Sequence, residues 1–365
     1  MTLSAAVAQF LTFSLPSRRL VYSKMATSLR VNGQTASTLL QTNASSLVDS
    51  TSSAFKSNTW PWNFDNNSVN IYYEQYGDST SPSKIILMLP SISSISTVEE
   101  WRPVAKELVE KEHVSNFQVT ILDWPGMGFS DRPKLDYNAD LMENFLSDFI
   151  NSENSPLAPK DGELVIFGAG HATTLLLHSV KKGLLKPTAV AAIAPTWAGP
   201  FPIMWGRDST MESRYGIFRG LVRSPWMGWA LYKALISNFG AVEKQFKAHV
   251  YDDDSHVTRA LLEGRYGLTL REGARYAPAA FLTGLMDPVK TREEFLWLYA
   301  NVEGEVKVLV LSSTGSPTRS KAEMEALKGA KGVSKYVEVP GALLPQEEYS
   351  EIIAKELYAF LLDIC

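Results

Sequence analysis

Cysteine is almost missing from this sequence of 365 residues: the only one is Cys365, at the end of the chain. A disulfide within the chain and a zinc site built from two or four cysteines are thereby excluded. The terminal Leu362-Asp363-Ile364-Cys365 does not fit a prenylation box, which sets its cysteine earlier. A dense basic stripe is missing too. Lys and Arg number 35 against 39 Asp and Glu, for a net charge of −4, which argues against a nucleic-acid partner. Long apolar runs are also absent. No stretch reaches the ~18 residues of a membrane-spanning helix, and the nearest, Ala189 to Trp205, is broken by Pro195, Pro200 and Pro202. Any membrane contact is therefore expected to be peripheral. What is present is ordinary for a globular protein, 45% hydrophobic and 20% charged. A body of ~300 residues buries roughly three quarters of its unfolded surface, so a large core needs no staple.

The first 58 residues differ from the rest. They are crowded with Ser and Thr, hold one acid (Asp49), and carry scattered bases at Arg18, Arg19, Lys24, Arg30 and Lys56. Hydroxyl-rich, acid-poor composition is that of an organelle transit peptide, and the scarcity of arginine favours the chloroplast. Met25-Ala26-Thr27-Ser28 has the look of a second start of such a peptide. The competing reading is a plain disordered tail.

From about residue 59 the pattern becomes rhythmic. Val69 to Glu74 alternates like a strand. Short apolar runs at Lys84–Leu89, Phe117–Leu122, Leu164–Phe167 and Ala189–Ile193 are separated by helical patterns near Trp101–Lys111, Ala139–Ser152 and Thr173–Lys181. Strands alternating with helices imply a mostly parallel central sheet flanked by helices on both faces. The alternation stops between about Pro200 and Pro288, which is rich in Trp, Phe, Tyr, Met and Arg at helical spacing and reads as an inserted helical lid. It resumes at Val306–Leu311 and Tyr336–Val339 and closes on a helix from about Glu347 to Leu362. The expected organisation is an address or tail at 1–58, a core at 59–199, the lid at 200–288, and the rest of the core at 289–365.

The run Asp123-Trp124-Pro125-Gly126-Met127-Gly128-Phe129-Ser130-Asp131-Arg132-Pro133 resembles the D-x-x-G-x-G-x-S-x-x-P loop of α/β-hydrolases. Pro340-Gly341-Ala342 and Pro345-Gln346-Glu347-Glu348 resemble that family's segment around its catalytic histidine. The resemblance covers about residues 60 to 365. It implies the α/β-hydrolase fold and three catalytic places: a nucleophile on a G-x-S-x-G elbow, an acid after the next-to-last strand, and a histidine.

Each place can be checked in this chain. The elbow reads Gly168-Ala169-Gly170-His171-Ala172, so Gly170 stands at the nucleophile. The acid stretch reads Ser313-Thr314-Gly315-Ser316-Pro317, which puts Ser316 in the acid's place; the other acid site, Ala194-Pro195-Thr196, also has no carboxylate. Counting back from Pro345 puts Leu343, or Leu344, at the histidine. The members of such a triad act as a unit, so three substitutions remove the ordinary serine-hydrolase mechanism.

Other residues remain candidates for a pocket: Ser91 and Ile92 in the loop where many relatives carry a His-Gly segment, His171 after the elbow, and Trp197 and Trp205 at the start of the lid. His171 is read either as a base facing the pocket or as an elbow residue packed beneath the lid. Ser91 to Ser96 is read either as a relocated nucleophile or as a polar loop with local hydroxyl bonds. Asp252-Asp253-Asp254 lacks the spacing of a calcium loop and is read as a solvated turn. No cofactor or metal is expected. The sequence points to a plastid protein without catalysis that binds an apolar small molecule (a lipid, isoprenoid or pigment-like compound) or a protein partner. The alternative is an ester or lipid hydrolase working through a displaced group.

Overall fold

A computed structural model describes residues 55–77, 84–110, 117–157 and 162–364. Almost all of the expected address segment, with Met25, as well as His113 and Cys365, lies outside the described residues.

The strands are β1 (Phe55–Phe64), β2 (Asn67–Tyr76), β3 (Lys84–Leu89), β4 (Phe117–Leu122), β5 (Glu163–Ala169), β6 (Ala189–Ile193), β7 (Lys307–Ser313) and β8 (Lys335–Val339). They form one sheet in the order β1-β2-β4-β3-β5-β6-β7-β8. β1 and β2 pair antiparallel, as do β2 and β4, and every other pairing is parallel. β3 and β4 are buried along their whole length. Burial on both faces is why these strands read as continuous apolar runs rather than alternating ones.

Period two still decides which face each residue meets. Ile85, Leu87 and Leu89 belong to one core cluster, and Ile86 and Met88 to the other. The same division separates Ile166 from Val165 and Phe167, and Val308 and Val310 from Leu309 and Leu311. The first face is covered by α2 (Ala139–Asn151) and α3 (His171–Lys181), whose Phe145, Phe149, Leu175 and Leu176 join its cluster. The second is covered by α1 (Arg102–Glu110) and the C-terminal α13 (Ser350–Asp363), through Leu108, Leu357 and Phe360.

Between β6 and β7 the chain runs through seven α-helices, α4 (Pro200–Trp205), α5 (Ser209–Arg223), α6 (Pro225–Leu235), α7 (Phe239–Gln245), α8 (Arg259–Leu270), α9 (Tyr276–Leu282) and α10 (Arg292–Asn301), with a π-helical turn at Phe246–Val250 and a 3-10 turn at Asp254–His256. Helix α10 returns to the core: Phe295, Leu298 and Tyr299 join the first-face cluster. Two short helices, α11 (Thr318–Glu325) and α12 (Pro345–Glu348), complete the set. Among the described residues no helix is long and apolar enough to cross a membrane.

Three sequence expectations are corrected. The boundary expected near residue 58 falls inside β1, which begins at Phe55. Ladder pairing extends to Phe55↔Tyr76, with those rings stacked at 5.2 Å, so the strand's polar first residues rest on backbone bonds and one aromatic pair, while Trp60 and Trp62 further along bury in the core. The helix expected from Thr173 starts at His171, because Gly170 makes the turn in a single residue. The closing helix is broken at Tyr349, whose φ of −127° and ψ of 50° lie outside the helical region.

Candidate functional site

The carboxyl ends of the parallel strands β3, β5, β6 and β7 carry the site loops, the usual place for ligands in such sheets. At the end of β5, Gly170 turns the chain at φ 56° and ψ −125° directly into α3. Positive φ is strained for residues with a side chain and open to glycine. The turn is held by its neighbours. Gly170 N donates to Ile193 O at 2.8 Å, and Thr173 Oγ1 donates back to Gly168 O at 2.7 Å. Space exists for a side chain here. A Cβ placed on Gly170 would lie 3.7 Å from Thr196 Oγ1 and 3.9 Å from the Cβ of Ser91.

Ser316 is buried just after β7, and its hydroxyl lies 2.5 Å from that of Ser313. Leu343 and Leu344 both donate their N–H groups to Val250 O, at 3.1 and 3.3 Å. The Leu344 side chain packs in a third apolar cluster with Ile95, Phe246, Val250 and Leu262. The segment assigned to a histidine by resemblance is thus docked on the inserted helices by backbone bonds and apolar packing.

Ser91 is the most connected polar residue near the turn. Its N–H donates to Glu100 Oε2 and its hydroxyl to Glu100 Oε1, both at 2.8 Å. Its Oγ is also 2.9 Å from Ser96 Oγ, which is 3.0 Å from Ser93 Oγ. Gln346 Nε2 reaches Glu100 Oε2 from α12 at 3.4 Å. Glu100 is fully buried, and that burial pushes its carboxyl up to about 7 despite the nearby Arg265 guanidinium. Arg265 is itself buried, bonded to Glu347 and within 3.4 Å of Glu99. The serine loop is therefore anchored to a carboxylate that the sequence places nine residues further on, in a short helical turn at Val98–Glu100.

His171 is 1% exposed. Its Nε2 lies 3.0 Å from Met286 O and 3.3 Å from Asp287 Oδ1, and its ring meets Phe281 edge-on at 5.3 Å. Nδ1 is buried without a partner. Of the two readings open from the sequence, packing beneath the inserted helices describes the observed contacts. Asp287 also accepts from Gly199 N at 3.0 and 2.9 Å and from the Arg207 guanidinium. Burial pushes its carboxyl up, against the pull of His171 and Arg207.

Of the other residues singled out, Ile92 is buried in the first-face core, and Trp197 packs against that core with its Nε1 unpartnered. Trp205 is 37% exposed at the end of α4, its ring 4.9 Å from Phe201. The structure brings Ser91 and His171 to the elbow and makes Ile92 a packing residue. Among the described residues, no histidine side chain is hydrogen-bonded to a serine or threonine hydroxyl; His178 pairs with Glu143 at 2.6 Å and His256 faces Glu348 at 3.7 Å. Asp252 and Asp253 do form a turn, but their N–H groups are capped by the Glu348 carboxylate at 2.8–3.0 Å.

Two carboxylates went unnoticed in the sequence. Glu100 had no signal beyond its proximity to the serine loop. Asp287 had one: Gly284-Leu285-Met286-Asp287-Pro288 spells G-x-x-D-P, the form in which the resembled family carries its acid, but it precedes a helix instead of following a strand.

The glycine-rich loop after β4 has a mechanical role. The buried Asp123 carboxylate accepts from Val98 N at 2.7 Å and Phe129 N at 2.6 Å. Gly128, at φ 50°, is where the loop wraps it: a Cβ there would sit 2.1 Å from Asp123 Oδ2. Burial raises the Asp123 carboxyl to about 7.

No protein-family model matches the chain, and no curated protein matches it. Solved structures do. The haloalkane dehalogenase DatA from Agrobacterium tumefaciens C58 is similar at a TM-score of 0.60 and 16% identity, over 86% of this chain and 98% of that one. Wild-type Cfl2 from Burkholderia cenocepacia gives 0.59 and 15%, over 84% and 96%. A thermophilic esterase from Thermogutta terrifontis gives 0.58 and 13%, over 85% and 99%. The chain has the α/β-hydrolase fold.

Proposed function

We propose that this is a noncatalytic α/β-hydrolase-fold protein whose inserted helices cover a vacated elbow as a fixed lid, and that it works by binding an apolar small molecule or a protein partner. The observation that carries this reading is Gly170. It holds the strained turn that a nucleophile occupies in the resembled family, it has room for a side chain, and it has none. Two further observations support it. Leucines, not a proton acceptor, fill the histidine segment. The Ser91 N–H, where the resemblance puts an oxyanion donor, is taken by the Glu100 carboxylate. An N–H already donating to that carboxyl is not free to stabilise a developing oxyanion.

A plastid address in residues 1–58 is part of this proposal, supported by its hydroxyl-rich composition and tested by the location of a C-terminal fluorescent fusion. Peripheral membrane contact is also proposed, supported by Trp226, 92% exposed at the start of α6.

One observation favours a second reading, an ester or lipid hydrolase with a displaced nucleophile. Ser91 Oγ donates to a buried carboxylate at about 7, a pairing suited to a general base near neutrality. Treating the full chain with a fluorophosphonate probe and mapping adducts by mass spectrometry separates the two. No adduct, beside a labelled active relative, is expected. A stoichiometric adduct on Ser91 overturns the noncatalytic reading in favour of the second.

A further inference from the structure

A groove of about 670 Å³ opens between the loop after β4 and the α8–α9 turn, and its wall is cationic. Arg132 and Arg275 are only 7% and 5% exposed. Arg132 gives one Nη2 bond to Gly128 O at 2.5 Å, and Arg275 gives one to the Tyr276 hydroxyl at 3.0 Å. The Nε of each is buried without a partner. Arg271, exposed at the rim, donates to Phe129 O at 3.1 Å. Among the described residues, none of the three has a carboxylate within ion-pair distance. Asp131 and Glu272 also line the groove, but Asp131 Oδ2 already accepts from both the N–H and the side-chain amide of Asn70.

Two guanidiniums this deeply buried without a bonded carboxylate are an expensive arrangement, since a poorly compensated buried charge is strongly destabilising, although Arg132 feels a carboxylate nearby, that of Asp123. Arg132 bears the mark of it: burial, reinforced by Arg271, brings its guanidinium down to about 10. Arg275 is partly compensated by the faces of Tyr276 and Trp229, 4.7 and 5.2 Å away. Cation–π contact uses the face of the guanidinium and satisfies none of its N–H groups.

We propose that this groove binds a phosphate group, clamped by Arg132, Arg275 and Arg271. A phosphate monoester carries close to two negative charges at neutral pH and several strong acceptor oxygens. It therefore matches two buried cations and a third at the rim better than a single carboxylate does, and guanidinium forks bind such oxygens bidentately. The site lies away from the elbow turn, and the inference holds whether or not Ser91 reacts.

The test is calorimetric titration of the full chain with inorganic phosphate at constant ionic strength in chloride. Glycerol 3-phosphate and phosphatidic acid in phosphatidylcholine vesicles are titrated in parallel, to separate a free ion, a soluble ester and a lipid headgroup. Saturable 1:1 binding of at least one of them is expected. Arg271→Glu, on an exposed side chain that leaves the fold intact, should weaken it by about ten- to a hundredfold and abolish the rise in melting temperature that phosphate gives the parent chain. Absence of saturable binding by all three probes overturns the proposal, and so does undiminished binding by a folded Arg271→Glu variant.

Discussion

His171 Nε2 lies 3.3 Å from Asp287 Oδ1, which makes the first residue after the elbow an anchor for the inserted helices. The same carboxylate holds Gly199 N and the Arg207 guanidinium, so one side chain ties α3, the start of the insertion and its last turn together. Asp287→Ala would strand the buried Gly199 N–H and leave His171 with only Met286 O and Arg207 with only Glu212 as polar partners. It should destabilise the protein by ~2–5 kcal/mol, read as the shift in urea unfolding. Amide exchange across Pro200–Arg223 should accelerate more than exchange in β3 and β5.

On the noncatalytic reading proposed above, a serine installed at Gly170 alone should not create an enzyme. Gly170→Ser fits the space beside Thr196 and Ser91 and should fold at a cost of ~1–2 kcal/mol for a side chain at positive φ. Hydrolysis of a p-nitrophenyl ester should stay at background, because no histidine accepts the proton. Turnover by Gly170→Ser above that background would reveal a base in the site.

Stability should depend on pH through Glu100. Its carboxyl ionises near 4.5 in an unfolded chain and near 7 in the fold. Between those values the native state holds a proton that the unfolded state has released, so stability falls as pH rises through the window. Asp123, also raised to about 7, acts in the same direction. Glu100→Gln should flatten the fall in unfolding free energy between about pH 5 and about pH 8 by roughly 1–3 kcal/mol. An unchanged slope would contradict the buried ionisation.

Gly128→Ala should be far more damaging than its size suggests. The added methyl meets the Asp123 carboxylate at 2.1–2.3 Å on a positive-φ backbone. Displacing that carboxylate frees the Val98 and Phe129 N–H groups. A loss of ~3 kcal/mol or more is expected, with soluble yield and thermal melting as the readouts. A melting temperature within a degree or two of the parent would show that the loop does not need glycine.

The division of labour between sequence and tertiary structure follows from range. Strands β3 to β7 were legible because burial on both faces forces continuous apolar runs, and the helices between them because one face must be apolar. Gly170, Ser316 and Leu343 could be singled out because each stands in a local frame of a few residues whose letters constrain its backbone. By contrast, β1 was not read as a strand and the segment boundary was set inside it at residue 58, because only Trp60 and Trp62 of its ten residues are buried and its polar first half carries no apolar pattern. The sequence by itself determined the layered sheet and which residues, Gly170, Ser316 and Leu343, stand in the frames that resemble the family's catalytic places. Only the tertiary structure decided that Ser91 rests on Glu100, that His171 is held by Asp287, and that Arg132, Arg271 and Arg275 meet in one groove. Ser91 and Glu100 are nine residues apart, whereas His171 and Asp287, and Arg132 and the Arg271–Arg275 turn, are separated by more than a hundred. Their chemistry comes from desolvation and proximity, which exist only once the chain has closed around them.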